Sequence, residues 1–215
     1  MKRRKFLNIA MYSLCVEGVG KQYHQTLLFE DITFSMKPGD VVGITGWNGS
    51  GKSTLVRIIA GLVRPSAGCV RMMSGEKVLN EAAKRRFIGL VAPAFSLYDE
   101  LTGIENLEFF YKIRGVAFDR VDTLDRMAQM GLEGLTDRLC RDYSSGMKQR
   151  LKIIQALIHH PPLLLLDEPG TNLDRKGMQM VEDIVTMQRQ TGMTIIASNE
   201  KQEVDYANRI INLSD

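Results

Sequence analysis

At 215 residues the chain is long enough for one well-buried core, or for one core carrying an inserted subdomain. Its 44% hydrophobic and 25% charged content excludes a disordered or fibrous protein, and a net charge of +3 is too small to argue for nucleic acid as a partner. Cys15, Cys69 and Cys140 are widely spaced, odd in number and free of any CxxC pair, so reduced thiols are expected rather than a disulfide frame.

Met1-Lys2-Arg3-Arg4-Lys5 opens a basic tail over residues 1–10. Residues 6–10 are too short and polar for the apolar core of a signal peptide, and no apolar run is long enough to span a bilayer. The tail reads as solvated, with weak attraction to an anionic membrane surface as the alternative. Residues 13–19 and 32–36 read as strands joined by a loop that holds Tyr23 and His24, and Pro38-Gly39 reads as a turn. An antiparallel β layer is thus expected to lead into a short buried strand over 40–45.

Gly46-Trp47-Asn48-Gly49-Ser50-Gly51-Lys52-Ser53-Thr54 follows that strand, and Leu55, Ile58, Ile59 and Leu62 then fall at helical spacing. Strand, glycine loop and helix is the context of a phosphate-binding P-loop. Glycines lack Cβ atoms, so successive backbone N–H groups can turn inward around a phosphate chain. Lys52 is placed to neutralise the β- and γ-phosphates, the Ser53 hydroxyl to ligate Mg²⁺, and the helix N-terminus to add positive potential. The segment implies binding of a nucleoside triphosphate.

Residues 64–68 turn into a strand over 69–73, and 87–92 form a second buried strand stopped by Pro93. The character then changes to helical. Residues 104–114 form a helix closed by Gly115, and Asp119 caps another whose Val121, Leu124, Met127 and Met130 recur every third residue until Gly131. A helical subdomain over 94–144 therefore interrupts a nucleotide-binding core made of 11–93 and 145–215. A helix over 145–159 meets Pro161-Pro162, and Leu163-Leu164-Leu165-Leu166 fits a parallel strand buried on both faces. A helix over 176–190, a strand over 194–197, a short helix over 200–206 and a strand over 209–213 complete an α/β fold with a mostly parallel sheet. Asp167-Glu168 ends the leucine strand, where an open parallel sheet binds its ligands. Asp167 is expected to hold Mg²⁺ and Glu168 to polarise the water that attacks the γ-phosphate.

Over nearly its whole length the chain resembles the ATP-binding subunits of ABC transporters. Besides the two nucleotide elements, the resemblance rests on Tyr143-Ser144-Ser145-Gly146-Met147-Lys148-Gln149-Arg150 shortly before the Asp167 strand, and on Thr171-Asn172-Leu173-Asp174 shortly after Glu168. It implies that Ser144, Ser145 and Gly146 cap the ATP held by the opposite subunit of a dimer, that Asp174 lines the seam, and that ATP and Mg²⁺ are bound. The segment 144–146 also opens a helix, which is an anion site in its own right. The resemblance points to Tyr23 as the aromatic on adenine, while spacing alone equally fits packing on the β layer. It further implies a homodimer or heterodimer of ATP-binding domains at the inner face of the cell membrane, driving an integral transport subunit on a separate chain. Phe95, Leu97, Tyr98, Leu101, Phe109 and Phe110 either line a groove for that partner or form the insert's own core. The variant 145–150 segment and the short C-terminal end look like small exporter-type subunits, including those of haem export in cytochrome c maturation.

Three positions depart from the family pattern. The signature Leu-Ser-Gly-Gly-Gln is Tyr143-Ser144-Ser145-Gly146-Met147 here, Pro93 stands where Gln is usual, and Asn199 stands where His contacts the γ-phosphate. Asn199 can still donate a hydrogen bond but carries no charge. An ATPase with attenuated or altered γ-phosphate sensing is expected. A soluble ABC-type ATPase, for instance in iron–sulfur cluster assembly, is the alternative, and a P-loop kinase is disfavoured by the 144–150 segment.

Overall fold

The computed structural model describes residues 12–214, so the basic tail over 1–10 lies outside the described residues. Two sheets organise the chain. The first is antiparallel, built from β1 (Tyr12–Tyr23), β2 (Thr26–Met36), β4 (Ala67–Ser74) and β5 (Lys77–Val78) in the order β2-β1-β4-β5. The second is parallel, built from β3 (Val41–Thr45), β6 (Ile88–Val91), β7 (Leu163–Asp167), β8 (Met193–Ala197) and β9 (Arg209–Asn212) in the order β6-β7-β8-β3-β9.

The parallel strands are buried on both faces because each face meets a separate layer. Val42 and Ile44 of β3, Leu163 and Leu165 of β7 and Ile195 of β8 share a core with the antiparallel sheet and with α1 (Lys52–Ile59). Val41, Leu164, Leu166 and Ile196 point the other way, as the two-residue period of a strand requires. There they meet α5 (Ser145–Leu157), α6 (Arg175–Thr191) and the helices of the 94–144 segment, α3 (Gly103–Arg114) and α4 (Arg120–Gln129).

Local chemistry sets the helix boundaries. Thr102 and Glu105 form a reciprocal capping box on α3, and Gly115 closes it at φ 64°. Asp119 caps α4 through the Asp122 N–H. Asn106 is fully buried; its amide exchanges hydrogen bonds with the Tyr98 backbone at 2.8 and 2.9 Å, tying the preceding loop to α3.

The structure departs from the sequence reading in four places. β1 and β2 run on to Tyr23 and Thr26, so the expected loop is a two-residue hairpin turn with His24 at φ 51°. Bulges between Val16 and Lys21 let the strand continue where strict alternation stops. Val121 is 70% exposed, because α4 turns Thr123 and Met127 inward instead. β5 and the short α2 (Glu81–Arg86) were not foreseen. α2 is polar and buries only Lys84, whose ammonium lies 3.0 Å from Glu81. The last helix, α7 (Lys201–Val204), is shorter than expected.

His159, just beyond α5, is held off protonation. Burial, then the nearby Arg114 guanidinium, push its pKa down from 6.5 to about 4, while Nδ1 has no partner among the described residues. The unfolded chain takes up a proton near 6.5 and the folded one only near 4, so stability is full above that window and falls as pH drops through it. Replacing His159 with Gln should flatten the part of the thermal midpoint's decline between pH 7 and 4 that the histidine causes. Parallel melts of the two proteins across that range measure it.

Candidate functional site

β3 delivers the chain to the P-loop at Thr45. Gly46, Gly49 and Gly51 then take φ of 149°, 92° and 100°, a region that side chains resist. Gly51 is the N-cap of α1 and offers no side-chain cap, so the first-turn N–H groups of that helix stay open toward an anion. A Cβ on Gly51 would lie 2.8 Å from the Phe29 ring, so the backbone conformation is enforced from outside as well. Lys52 is 6% exposed, and its ammonium donates to the Gly46 carbonyl at 2.9 Å and the Trp47 carbonyl at 3.2 Å, curling the loop around the charge. Ser50 is buried beneath the loop, and the Trp47 side chain projects outward at 62% exposure. Thr54 continues α1.

The strand order brings the ends of β7 and β8 to the same place. Asp167 is 1% exposed; its Oδ1 accepts from the Ser53 hydroxyl at 2.9 Å, while Oδ2 is buried with no partner among the described residues. Burial raises the Asp167 pKa, against the Ser53 hydrogen bond and the charges of Arg57 and Lys52. Glu168 follows at φ 52°, its N–H donating to the Ala197 carbonyl at 2.8 Å. Burial likewise raises the Glu168 pKa, and the Lys52 charge opposes it. The Asn199 amide, one residue past buried Ser198, donates to the Asn48 side-chain oxygen across the mouth of the P-loop. Lys52, Ser53, Asp167, Glu168, Asn48 and Asn199 therefore form one constellation.

The 144–150 segment is tied to the chain that follows Glu168. Ser144 caps α5 by accepting from the Met147 N–H at 3.2 Å, and Ser145 is exposed at the helix start. A Cβ on Gly146 would sit 2.7 Å from the Asn172 carbonyl. Gln149 donates to the Pro169 carbonyl at 2.9 Å, and Arg150 pairs with Asp174 at 2.7 Å, while Asp174 also caps α6. Within one chain Asp174 is thus an N-cap and an ion-pair partner. Tyr143 and Met147, departures from the pattern, pack into the insert: Tyr143 is 5% exposed and its hydroxyl donates to Leu135 at 2.6 Å. Tyr23 stands apart at the hairpin tip, half-exposed, with the Lys21 ammonium 4.5 Å from its ring centre.

Sequence reasoning missed Glu203. It is 3% exposed on α7, beside Gly170 and Ser198, and burial raises its pKa, while its Oε2 has no hydrogen-bond partner among the described residues. It thus lies between the loops that follow β7 and β8, and no local pattern announces a contact across thirty-odd residues.

A glycine cradle on a helix N-terminus, a buried carboxylate beside a P-loop hydroxyl and a neighbouring glutamate define a P-loop nucleoside triphosphatase. The chain belongs to the ABC transporter family, whose pattern matches residues 29–171. It is an ATP-binding, ATP-hydrolysing subunit of that family. It is 34% identical to an uncharacterized ABC transporter ATP-binding protein of Bacillus subtilis, YybJ, over 87% of this chain and 85% of that one. It is 33% identical to the cytochrome c biogenesis ATP-binding export protein CcmA of Methylococcus capsulatus, over 94% and 98% of the two chains. A dimeric ATP-binding cassette solved in a post-hydrolysis state with ADP and Pi superposes with a TM-score of 0.79 at 25% identity, over 94% of each chain.

Replacing Gly51 with Ala should strain the loop at φ 100° and press on Phe29. ADP affinity, measured calorimetrically, is expected to fall roughly tenfold, the scale of a 1–2 kcal/mol left-handed penalty.

Proposed function

We propose that this subunit pairs with a second ATP-binding domain, identical or related, around two ATP molecules and drives a transport subunit embedded in the membrane. The observation that carries the reading is the Ser53–Asp167 contact with Glu168 beside it. Backbone N–H groups from Gly46 to Thr54 hold the phosphates, and Lys52 neutralises them. The Ser53 hydroxyl and the unpartnered Oδ2 of Asp167 are a hard-oxygen pair that fits Mg²⁺. When bound, the ion would offset the negative charge of the phosphates. Glu168 accepts the proton of the attacking water, and Asn199 donates to the γ-phosphate. Ser144, Ser145 and Gly146 serve the ATP of the opposite subunit, Asp174 lies at the seam, and Tyr23 stacks on adenine.

Residues 94–144 act as a helical subdomain that carries the partner contact. A cavity of about 670 Å³ between that segment and α2 is lined by Leu62, Phe95, Phe110 and Ile113, with Arg86 and Lys112 at its edge. Of the six apolar residues considered from sequence, Phe95 and Phe110 line it, Leu97 is core, and Tyr98 and Phe109 stack edge-on at 4.9 Å. No helix among the described residues is long and apolar enough to cross a membrane, so the subunit reaches the inner face of the cell membrane through its partner. The relatives are named as transporter subunits, which favours this reading over a soluble assembly ATPase, and the likeness to CcmA supports a small exporter. Turnover is slow for the family, because Pro93 and Asn199 leave the γ-phosphate with fewer donors.

The Glu168→Gln protein should bind ATP, run as a dimer on gel filtration with ATP and as a monomer with ADP, and hydrolyse at least roughly a hundredfold more slowly. Trp47 is the single tryptophan and is 62% exposed, so its fluorescence reports nucleotide entry in the same samples. A protein that stays monomeric in ATP and turns over as fast as the unsubstituted chain overturns the proposal.

A further inference from the structure

The Asn199 side chain is a two-faced group. Its amide has an N–H₂ face and an oxygen face of nearly equal size. Toward a γ-phosphate the first attracts and the second repels, so this residue is useful in only one of two orientations. An imidazole has no such oxygen face.

Glu168, Glu200 and Glu203 line one acidic cavity of about 350 Å³, and Asn199 immediately precedes Glu200 in the chain. The backbone itself is fixed, since Ser198 is fully buried and its hydroxyl accepts from the Glu200 N–H at 3.0 Å. What remains free is the side-chain torsion of Asn199, and the contact the structure gives it is the hydrogen bond to the Asn48 side-chain oxygen. Asn48 lies in the P-loop, between the Trp47 carbonyl that holds Lys52 and the unhindered Gly49. A hydrogen bond to this residue ties the Asn199 amide nitrogen to the loop that forms the phosphate cradle.

We propose that Asn48 is a positioning residue for Asn199: by accepting one amide hydrogen, it keeps the second Nδ2 hydrogen, rather than the amide oxygen, turned toward the γ-phosphate. The inference rests on the ATPase reading above and adds to it a partner within the P-loop. It also accounts for an asparagine working where the family has histidine, because the orientation that asparagine lacks intrinsically is supplied by the loop.

The test is a double-mutant cycle on the full chain, combining Asn48→Ala with Asn199→His. The readouts are kcat, ADP affinity and the ratio of ATP to ADP affinity. With Asn199 present, Asn48→Ala should lower kcat or the ATP/ADP ratio about fivefold, the scale of one oriented hydrogen bond, and leave ADP affinity within about twofold. In the Asn199→His background the same Asn48→Ala change should alter both readouts less than about twofold. Equal losses in the two backgrounds, no loss in either, or a collapse of ADP affinity would each overturn the proposal, because each assigns Asn48 to the shape of the loop or to nothing. If the unsubstituted chain hydrolyses ATP no faster than Glu168→Gln, the ATPase reading fails separately. The ATP/ADP affinity ratio, which needs no turnover, then decides the role of Asn48.

Discussion

The buried carboxylate of Asp167 is the constraint on which the site depends. A charged group at 1% exposure is unfavourable by several kcal/mol unless its oxygens are satisfied, and the protein satisfies only one of them. That one partner, the Ser53 hydroxyl, sits on α1, more than a hundred residues earlier in the chain. The contact exists only because β3 and β7 flank β8 in a parallel sheet, so that their carboxyl ends lie together. The leucines of β7 are therefore more than filler. Buried on both faces, they fix the height at which Asp167 emerges beside the P-loop. The unsatisfied second oxygen is what would make a cation favourable here, since binding one would remove a penalty that folding leaves standing.

A second set of contacts makes the chain after Glu168 a rigid continuation of the site. Gln149 and Arg150 of α5 reach Pro169 and Asp174, Gly146 lies against the Asn172 carbonyl, and the buried Glu203 side chain lies against Gly170. The same α5 packs against α3, and Tyr143 anchors the start of α5 in the insert. Displacement of the Glu168 segment is thus mechanically connected, through one helix, to the 94–144 helices and the groove they border. The connection runs through close-packed groups and buried hydrogen bonds, which move as units.

The elements carrying the strongest local signals were legible without the structure. The glycine loop, the leucine strand with its two acids, and the helix ends at Asp119 and Gly115 each act over a few residues. What escaped were consequences of distant packing. β1 continues through bulges that only its pairing with β2 and β4 makes sense of. Lys84 is buried in a polar six-residue helix because Glu81 and the Gly61 turn close over it. Met147 reads as a lost hydrogen-bonding group against the signature pattern. In the fold it packs half-buried against the core that Tyr143 joins, so the change serves packing instead.

The departures do not fall at random around the phosphates. The P-loop glycines, Lys52, Ser53, Asp167 and Glu168 are all kept, and in the proposed mechanism they anchor the triphosphate and receive a proton. Pro93, Asn199 and Ser145 are the positions that, on the same proposal, sense the γ-phosphate from outside the cradle. Ground-state affinity comes mainly from the cradle, through backbone N–H groups and a buried ammonium that no neighbouring substitution removes. Groups that meet the γ-phosphate chiefly in the transition state affect rate instead. On the proposed reading, a chain altered in the second set and intact in the first differs from its family chiefly in how fast it acts on ATP. The altered side chain that a hydrogen bond ties to the loop is Asn199, through Asn48.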